Sequence, residues 1–205
     1  MAGKQGGRTR RRLSTEERRE ELLAVGARLF SRSPHEDVSI EEVAEIAGVS
    51  RGLLYHYFPT KKDFFAAVVE RESRRMLQLT AAVPGVPARE QLSLGLDSFL
   101  EYVESHAQGF RAFHRAEAAG DPVVRKVYRE GLDAQERQIL DALAADPEVA
   151  RLASEMTAAG LRIAVRGWLS FMVTVCLEWL EEPAMPREDV RDLCARALLG
   201  AITPS

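Results

Sequence analysis

Apolar residues recur at three- and four-residue spacing along nearly the whole chain, without strand-like alternation of useful length, so the pattern predicts an all-α protein. Ile40, Val43, Ala44 and Ala47 fall at i, i+3, i+4 and i+7, one apolar stripe on a short helix. Helix-start signals punctuate the N-terminal region. Ser14 with Glu17, and Ser39 with Glu42, fit the capping box, in which a hydroxyl and a carboxylate each satisfy a backbone N–H at the helix start. Ser50 and Thr60 are further N-cap candidates, and Val38 with Val43 and Val49 with Leu54 have hydrophobic-staple spacing. These signals predict helices near 15–32, 40–47, 51–57 and 61–82. Pro84, Gly85 and Pro87 mark a break, after which helical patterns run near 88–106, 108–118, 122–145, 148–181 and 187–202, making about nine helices.

At 205 residues, with 46% hydrophobic and 29% charged, the chain has room for a small N-terminal unit and a larger helical one, and its composition opposes wholesale disorder. The expected division is an arm at 1–13, a compact three-helix unit within 14–75 and a helical domain at 76–205. A formal net charge of −3 hides an asymmetry: residues 1–75 hold 15 Lys and Arg against 12 Asp and Glu, while the remainder is acidic. Lys4, Arg8, Arg10, Arg11 and Arg12 precede the first acidic residue, Glu16, and are interspersed with glycines, the composition of a flexible basic arm. Cys176 and Cys194 lack metal-ligand spacing and no secretory signal pattern opens the sequence, so a reduced cytoplasm is expected. Arg162, Arg166 and Glu178 interrupt the most apolar stretch, which argues against a membrane span.

The candidate chemistry of the basic half lies around residues 40–58. An amphipathic helix, a turn permitted by Gly48 and a seven-residue helix with Leu54 and Phe58 facing inward make a helix-turn-helix. Arg51, Gly52, Tyr55 and His56 then point away from the core. A short helix presenting such groups beside a basic arm suits duplex DNA, because its N-terminal residues reach base edges in the major groove. The run from Val38 to Phe65, VSIEEVAEIAGVSRGLLYHYFPTKKDFF, resembles the DNA-binding segment of the TetR family. It shares the Ser-x-x-Glu start, the Ala-Gly-Val-Ser turn, the Leu-Tyr-x-Tyr-Phe helix and the lysine after it. The close resemblance covers 15 to about 75; beyond that only helix pattern and length agree.

The resemblance implies that Ser39, Ser50, Tyr55, Tyr57 and Lys61 contact phosphates and that Arg51, Gly52, Leu53 and His56 face bases. Arg51 is the candidate for direct readout, since a guanidinium can donate twice to guanine, discriminating by about 1–3 kcal/mol. Pro59 stands where the family often carries a basic residue, which removes one phosphate contact from the expected set. By analogy with homeodomain arms, the basic arm would lie in an adjacent minor groove.

In the C-terminal half, Phe99, Tyr102, Phe110, Phe113 and His114 form one group, and Trp168, Phe171, Met172 and Cys176 follow helical spacing in another. Taken singly, such residues read as core. The resemblance implies a cavity among them for a small, mostly apolar effector, with Tyr102, His114 and Arg166 as polar contacts. His106, His114 and Glu117 are spaced too far apart to favour a metal site. Leu177, Leu180, Val190, Leu193, Ala197, Leu198 and Ala201 give the last two helices a surplus of apolar surface, suited to a four-helix bundle with a second copy. An enzyme would need a nucleophile paired with a base, or a phosphate loop, and neither pattern occurs; a helical adaptor binding RNA or anionic membrane is the other alternative. The expected protein is therefore a homodimeric regulator with double-stranded operator DNA and a small-molecule effector as partners, and with no cofactor, metal or membrane.

Overall fold

The computed structural model describes residues 13–33, 37–83, 85–153 and 155–203. The cationic residues of the predicted arm, Lys4 to Arg12, lie outside the described residues, as does His35. Among the described residues there is no strand, and ten helices follow in order: α1 (Thr15–Phe30), α2 (Ile40–Ala47), α3 (Arg51–Tyr57), α4 (Lys61–Leu79), α5 (Ala88–Ser105), α6 (Ala107–Ala118), α7 (Pro122–Ala145), α8 (Pro147–Ala153), α9 (Ala158–Glu181) and α10 (Arg187–Ile202). The expected count of nine is corrected here, because the single helix predicted over 148–181 is two. Thr157 caps α9 by accepting the Gly160 N–H at 3.0 Å. The apolar period runs across this break with no glycine or proline to mark it.

Local chemistry explains the N-terminal unit. Ser14 and Glu17 form a complete capping box, as do Thr60 and Asp63, and Ser39 supplies the hydroxyl half by accepting the Glu42 N–H at 3.0 Å. Gly48 ends α2 at φ 65°, a left-handed conformation in which a side chain would be strained. Leu22, Leu23, Val43, Leu54 and Phe64 are fully buried in one cluster built from α1 to α4. Here α1 and α4 approach so closely that a Cβ on Gly26 would stand 2.5 Å from the Phe64 ring.

A second cluster joins α5, α7, α9 and α10 around Leu100, Val103, Val165, Cys176, Val190 and Cys194. The Trp168 indole N–H donates to the Cys194 carbonyl at 2.8 Å, tying α9 to α10. Burial pushes the Cys176 thiol well up and the Cys194 thiol up to about 11, so both stay protonated and act as small hydrophobes. By length and apolar content alone α9 would suffice to cross a membrane. Its apolar face is used otherwise, burying Val165, Trp168, Leu169, Met172, Cys176 and Trp179 against neighbouring helices.

The two clusters are bridged by α4, which begins in the first with Phe64, Phe65 and Val68 and then packs along α7. Lys62 pairs with Asp121 at 2.8 Å, and Gln138 of α7 donates to the Thr80 carbonyl at 2.8 Å. The connector is thus held at both ends.

Candidate nucleic-acid interface and cavity

The short helix α3 starts where Ser50 accepts the Leu53 N–H at 3.1 Å. Leu54 and Phe58 anchor it from beneath, at 0% and 3% exposure. That orientation turns Arg51, Gly52, Leu53, Tyr55 and His56 outward, all of them exposed. Space around Gly52 is open, a Cβ there meeting only the Ser50 hydroxyl at 4.0 Å. Tyr57 differs from its neighbours: it is half-buried and packs on the N-terminal cluster, so its ring braces α3 as well as edging the surface. Ser39 and Lys61 sit at the starts of α2 and α4, both half-exposed. The Arg51 guanidinium is ion-paired with Glu41 of α2, and both side chains are largely in solvent. An exposed pair of this kind contributes only about 0–1 kcal/mol, so it yields readily to a competing partner.

Behind this surface lies a cavity of about 630 Å³, lined by residues of α1 and of every helix from α4 to α10. Phe99, Tyr102, Phe110, Phe113, His114, Trp168 and Met172 line it. Arg166, Phe171 and Cys176 do not, which corrects the sequence-based set. Arg166 points away toward α7, where it pairs with Asp133 and, at 2.6 Å, with Glu136. Phe171 is half-buried among the α9 and α10 packing, and Cys176 is fully buried one turn past Met172, beyond the end of the cavity. Sequence reasoning also missed lining residues: Glu72 from α4, Thr80 at its C-terminal cap, and Tyr128, Gln135 and Gln138 from α7. Polar residues at helical spacing look like a solvent face, and nothing local distinguishes a face turned toward an internal space.

The polar chemistry of the wall is uneven. The Tyr102 hydroxyl donates to the Glu72 carboxylate at 2.7 Å, and burial beside that carboxylate raises the phenol far above its ordinary pKa, keeping it a donor. Glu72 also pairs with Arg71, which in turn donates to Glu20 of α1. The His106 imidazole stacks on Tyr102 with ring centroids 4.1 Å apart. His114 is ringed by Phe110, Phe113 and Tyr128, and burial lowers its pKa to about 4, so it is neutral at pH 7. No cluster of three or more His, Cys, Asp or Glu side chains suited to a metal occurs among the described residues.

An exposed helix of this shape above a cavity can be compared with known proteins. The family profile of bacterial regulatory proteins of the tetR family matches residues 22–68, and that of the tetracyclin repressor-like C-terminal domain matches residues 88–200, more than half of the chain. The chain belongs to the TetR family. Among curated relatives, the transcriptional activator FasR of Mycolicibacterium smegmatis is 25% identical over 76% of this chain and 72% of its own. The transcriptional regulator AcrR of Shigella flexneri is 28% identical over 82% of this chain and 80% of its own. A crystal structure of a TetR-family regulator from Streptomyces coelicolor superimposes with a TM-score of 0.80 at 29% identity, covering 92% of this chain and 82% of that one. This TetR-family protein is accordingly a helix-turn-helix transcriptional regulator rather than an enzyme. Members of its family bind operator DNA and small-molecule effectors and act as dimers.

Proposed function

We propose that this regulator is a cytoplasmic repressor that grips its operator through α3 and leaves it when a small, mostly apolar molecule occupies the cavity. Supporting this reading above all is the double membership of α4, whose first turns belong to the DNA-binding core while Glu72, Met76 and Thr80 form cavity wall. A molecule that displaces this wall shifts the base on which α3 is mounted. Such an effector needs a coupling free energy of only about 1–3 kcal/mol to change operator affinity 5- to 150-fold. The functional division falls at 14–75 and 76–205, with α4 crossing it.

In this reading Arg51, Gly52, Leu53 and His56 face bases, and Ser39, Ser50, Tyr55, Tyr57 and Lys61 hold phosphates. Two copies associate through α9 and α10, so that paired α3 helices reach half-sites about 34–36 Å apart or a related spacing. The surface fits that role: Ile163 is 73% exposed, and Gly167 and Gly200 have nothing within 4 Å of a Cβ position, room for an approaching helix. Val190 and Leu198, assigned to this surface from sequence, are instead buried in the subunit's own core.

The test is a binding-site selection with Arg51→Ala. Preference at one base pair per half-site should relax by about 1–3 kcal/mol while other positions keep theirs. A uniform loss over all sequences would show that Arg51 touches only phosphate. Because one curated relative is an activator, the sign of regulation is read separately: deleting the gene should raise transcription from the bound promoter, and a fall would reverse the assignment.

A further inference from the structure

Among the polar side chains of the cavity wall, His114 is one without a hydrogen-bond partner among the described residues. The His114 imidazole lines the space between the rings of Phe110, Phe113 and Tyr128, at centroid distances of 4.5, 5.1 and 5.7 Å, and makes no hydrogen bond with any described residue. The ionisable group facing it is the Tyr128 phenol. That phenol is itself raised by burial and by Glu117, and so is uncharged at neutral pH.

Other charges on the wall are already matched or lie in solvent. Glu72 accepts from Tyr102 and pairs with Arg71, and Arg71 also holds Glu20. Asp146 accepts the Ala88 N–H at 2.9 Å, and Arg89 and Glu148 are exposed. An ionised group carried into the interior would lose its water and meet no counter-charge, a heavy cost for a carboxylate or an ammonium.

We infer that the effector is an uncharged molecule, an apolar body bearing a hydroxyl or amide group that hydrogen-bonds to the His114 imidazole, and that ionised analogues of the same shape are rejected. This rests on the reading of the cavity as the effector site. A neutral imidazole offers one N–H donor and one nitrogen acceptor, which matches a hydroxyl or amide on both counts. Burial holds the ring in that neutral form across the physiological range. The apolar remainder of the ligand packs on Phe99, Trp168 and Met172.

The experiment titrates the full chain at pH 7 with decanol, decanoate and decylamine, equal in chain length and different in charge, following tryptophan emission, to which Trp168 in the cavity wall contributes, and the heat of binding. Decanol should bind at least about tenfold more tightly than either ion, because neither ion finds a partner inside. His114→Leu should weaken decanol about fivefold, the loss of one hydrogen bond, and His114→Gln should restore most of it. Decanoate should gain affinity as the pH falls and it takes up its own proton. Decanoate or decylamine binding as tightly as decanol overturns the inference, as does an unchanged decanol affinity in His114→Leu. Should that variant not fold, the charge series and His114→Gln still decide. Absence of binding by all three sinks the inference together with the cavity reading, whereas a charged probe winning sinks the inference alone.

Discussion

The α1–α4 end and the α5–α10 end of this regulator are built from the same material and solve opposite problems. At the first end side chains fill the interior: Leu22, Leu23, Val43, Leu54 and Phe64 are at 0% exposure, and a glycine is required where α1 meets α4. At the second end aromatic and aliphatic side chains surround a cavity of about 630 Å³. Close packing transmits any change in volume, which suits a surface whose groups must meet base edges in fixed register. A wall around an internal space can yield, which suits a sensor. Lying in both environments, α4 is the element through which the proposed coupling would run.

The largest effect that sharpens this contrast comes from truncating one side chain at each end. Phe64→Ala removes a fully buried ring from a tight core and should cost about 3–5 kcal/mol. Met172→Ala, which enlarges an existing cavity, should lie at the low end for its type, about 2 kcal/mol. Urea denaturation of the two variants measures both. Equal losses would erase the distinction between a filled core and a yielding wall.

Acid should separate the ends next. Burial lowers His114 from 6.5 to about 4, so between those values the unfolded chain binds a proton that the folded chain does not. Stability from this residue is complete above pH 6.5, declines as the pH falls, and is gone below about 4, a total of about 3 kcal/mol. His114→Gln, lacking that titration, should lose less stability than the wild type over the same window. Parallel pH profiles would mean that the ring is hydrated when folded.

These contrasts also explain what could be read in the chain. Boundaries of α2, α3, α7 and α10 are legible because each is set locally, by Ser39, Ser50, Asp121 with Pro122, or Pro186, and by Gly48 after α2. The outward set on α3 is legible because Leu54 and Phe58 fix its rotation. The cavity is not, since its wall comes from eight helices and membership depends on rotations set by tertiary packing. Arg166 shows the limit: helical spacing places it near Trp168 in sequence, but Asp133 and Glu136 of α7 draw it to the outside. Glu72 shows the converse, a carboxylate on a connector that turns out to be held inside by Tyr102.

A smaller effect probes the rigidity of the DNA-binding end. Gly48 holds φ 65°, and Gly48→Ala should cost about 1–2 kcal/mol while misaligning α3 against α2. Operator affinity should therefore fall by more than thermal stability alone explains, whereas effector affinity measured by calorimetry should not change.

The smallest effect asks whether the two ends are independent. Lys62 at the start of α4 pairs with Asp121 at the start of α7, and that ammonium, followed by the backbone N–H groups of Val124 and Val123, holds the Asp121 carboxyl below its ordinary pKa. Its contribution is thus present above the usual carboxylate value and is lost as the pH falls through the depressed one. Half of the Lys62 side chain is in solvent, so the pair should be worth only about 0.2–1 kcal/mol. Asp121→Asn keeps a side-chain oxygen to cap α7 and removes the charge; with Lys62→Met it forms a double-mutant cycle in which the cap is constant. A coupling energy that vanishes on acidification, with the Asp121 titration in Lys62→Met moving toward the ordinary value, would show an electrostatic tie between the DNA-binding and effector-binding ends. A coupling of zero at neutral pH would leave α4 packing along α7 as the principal link.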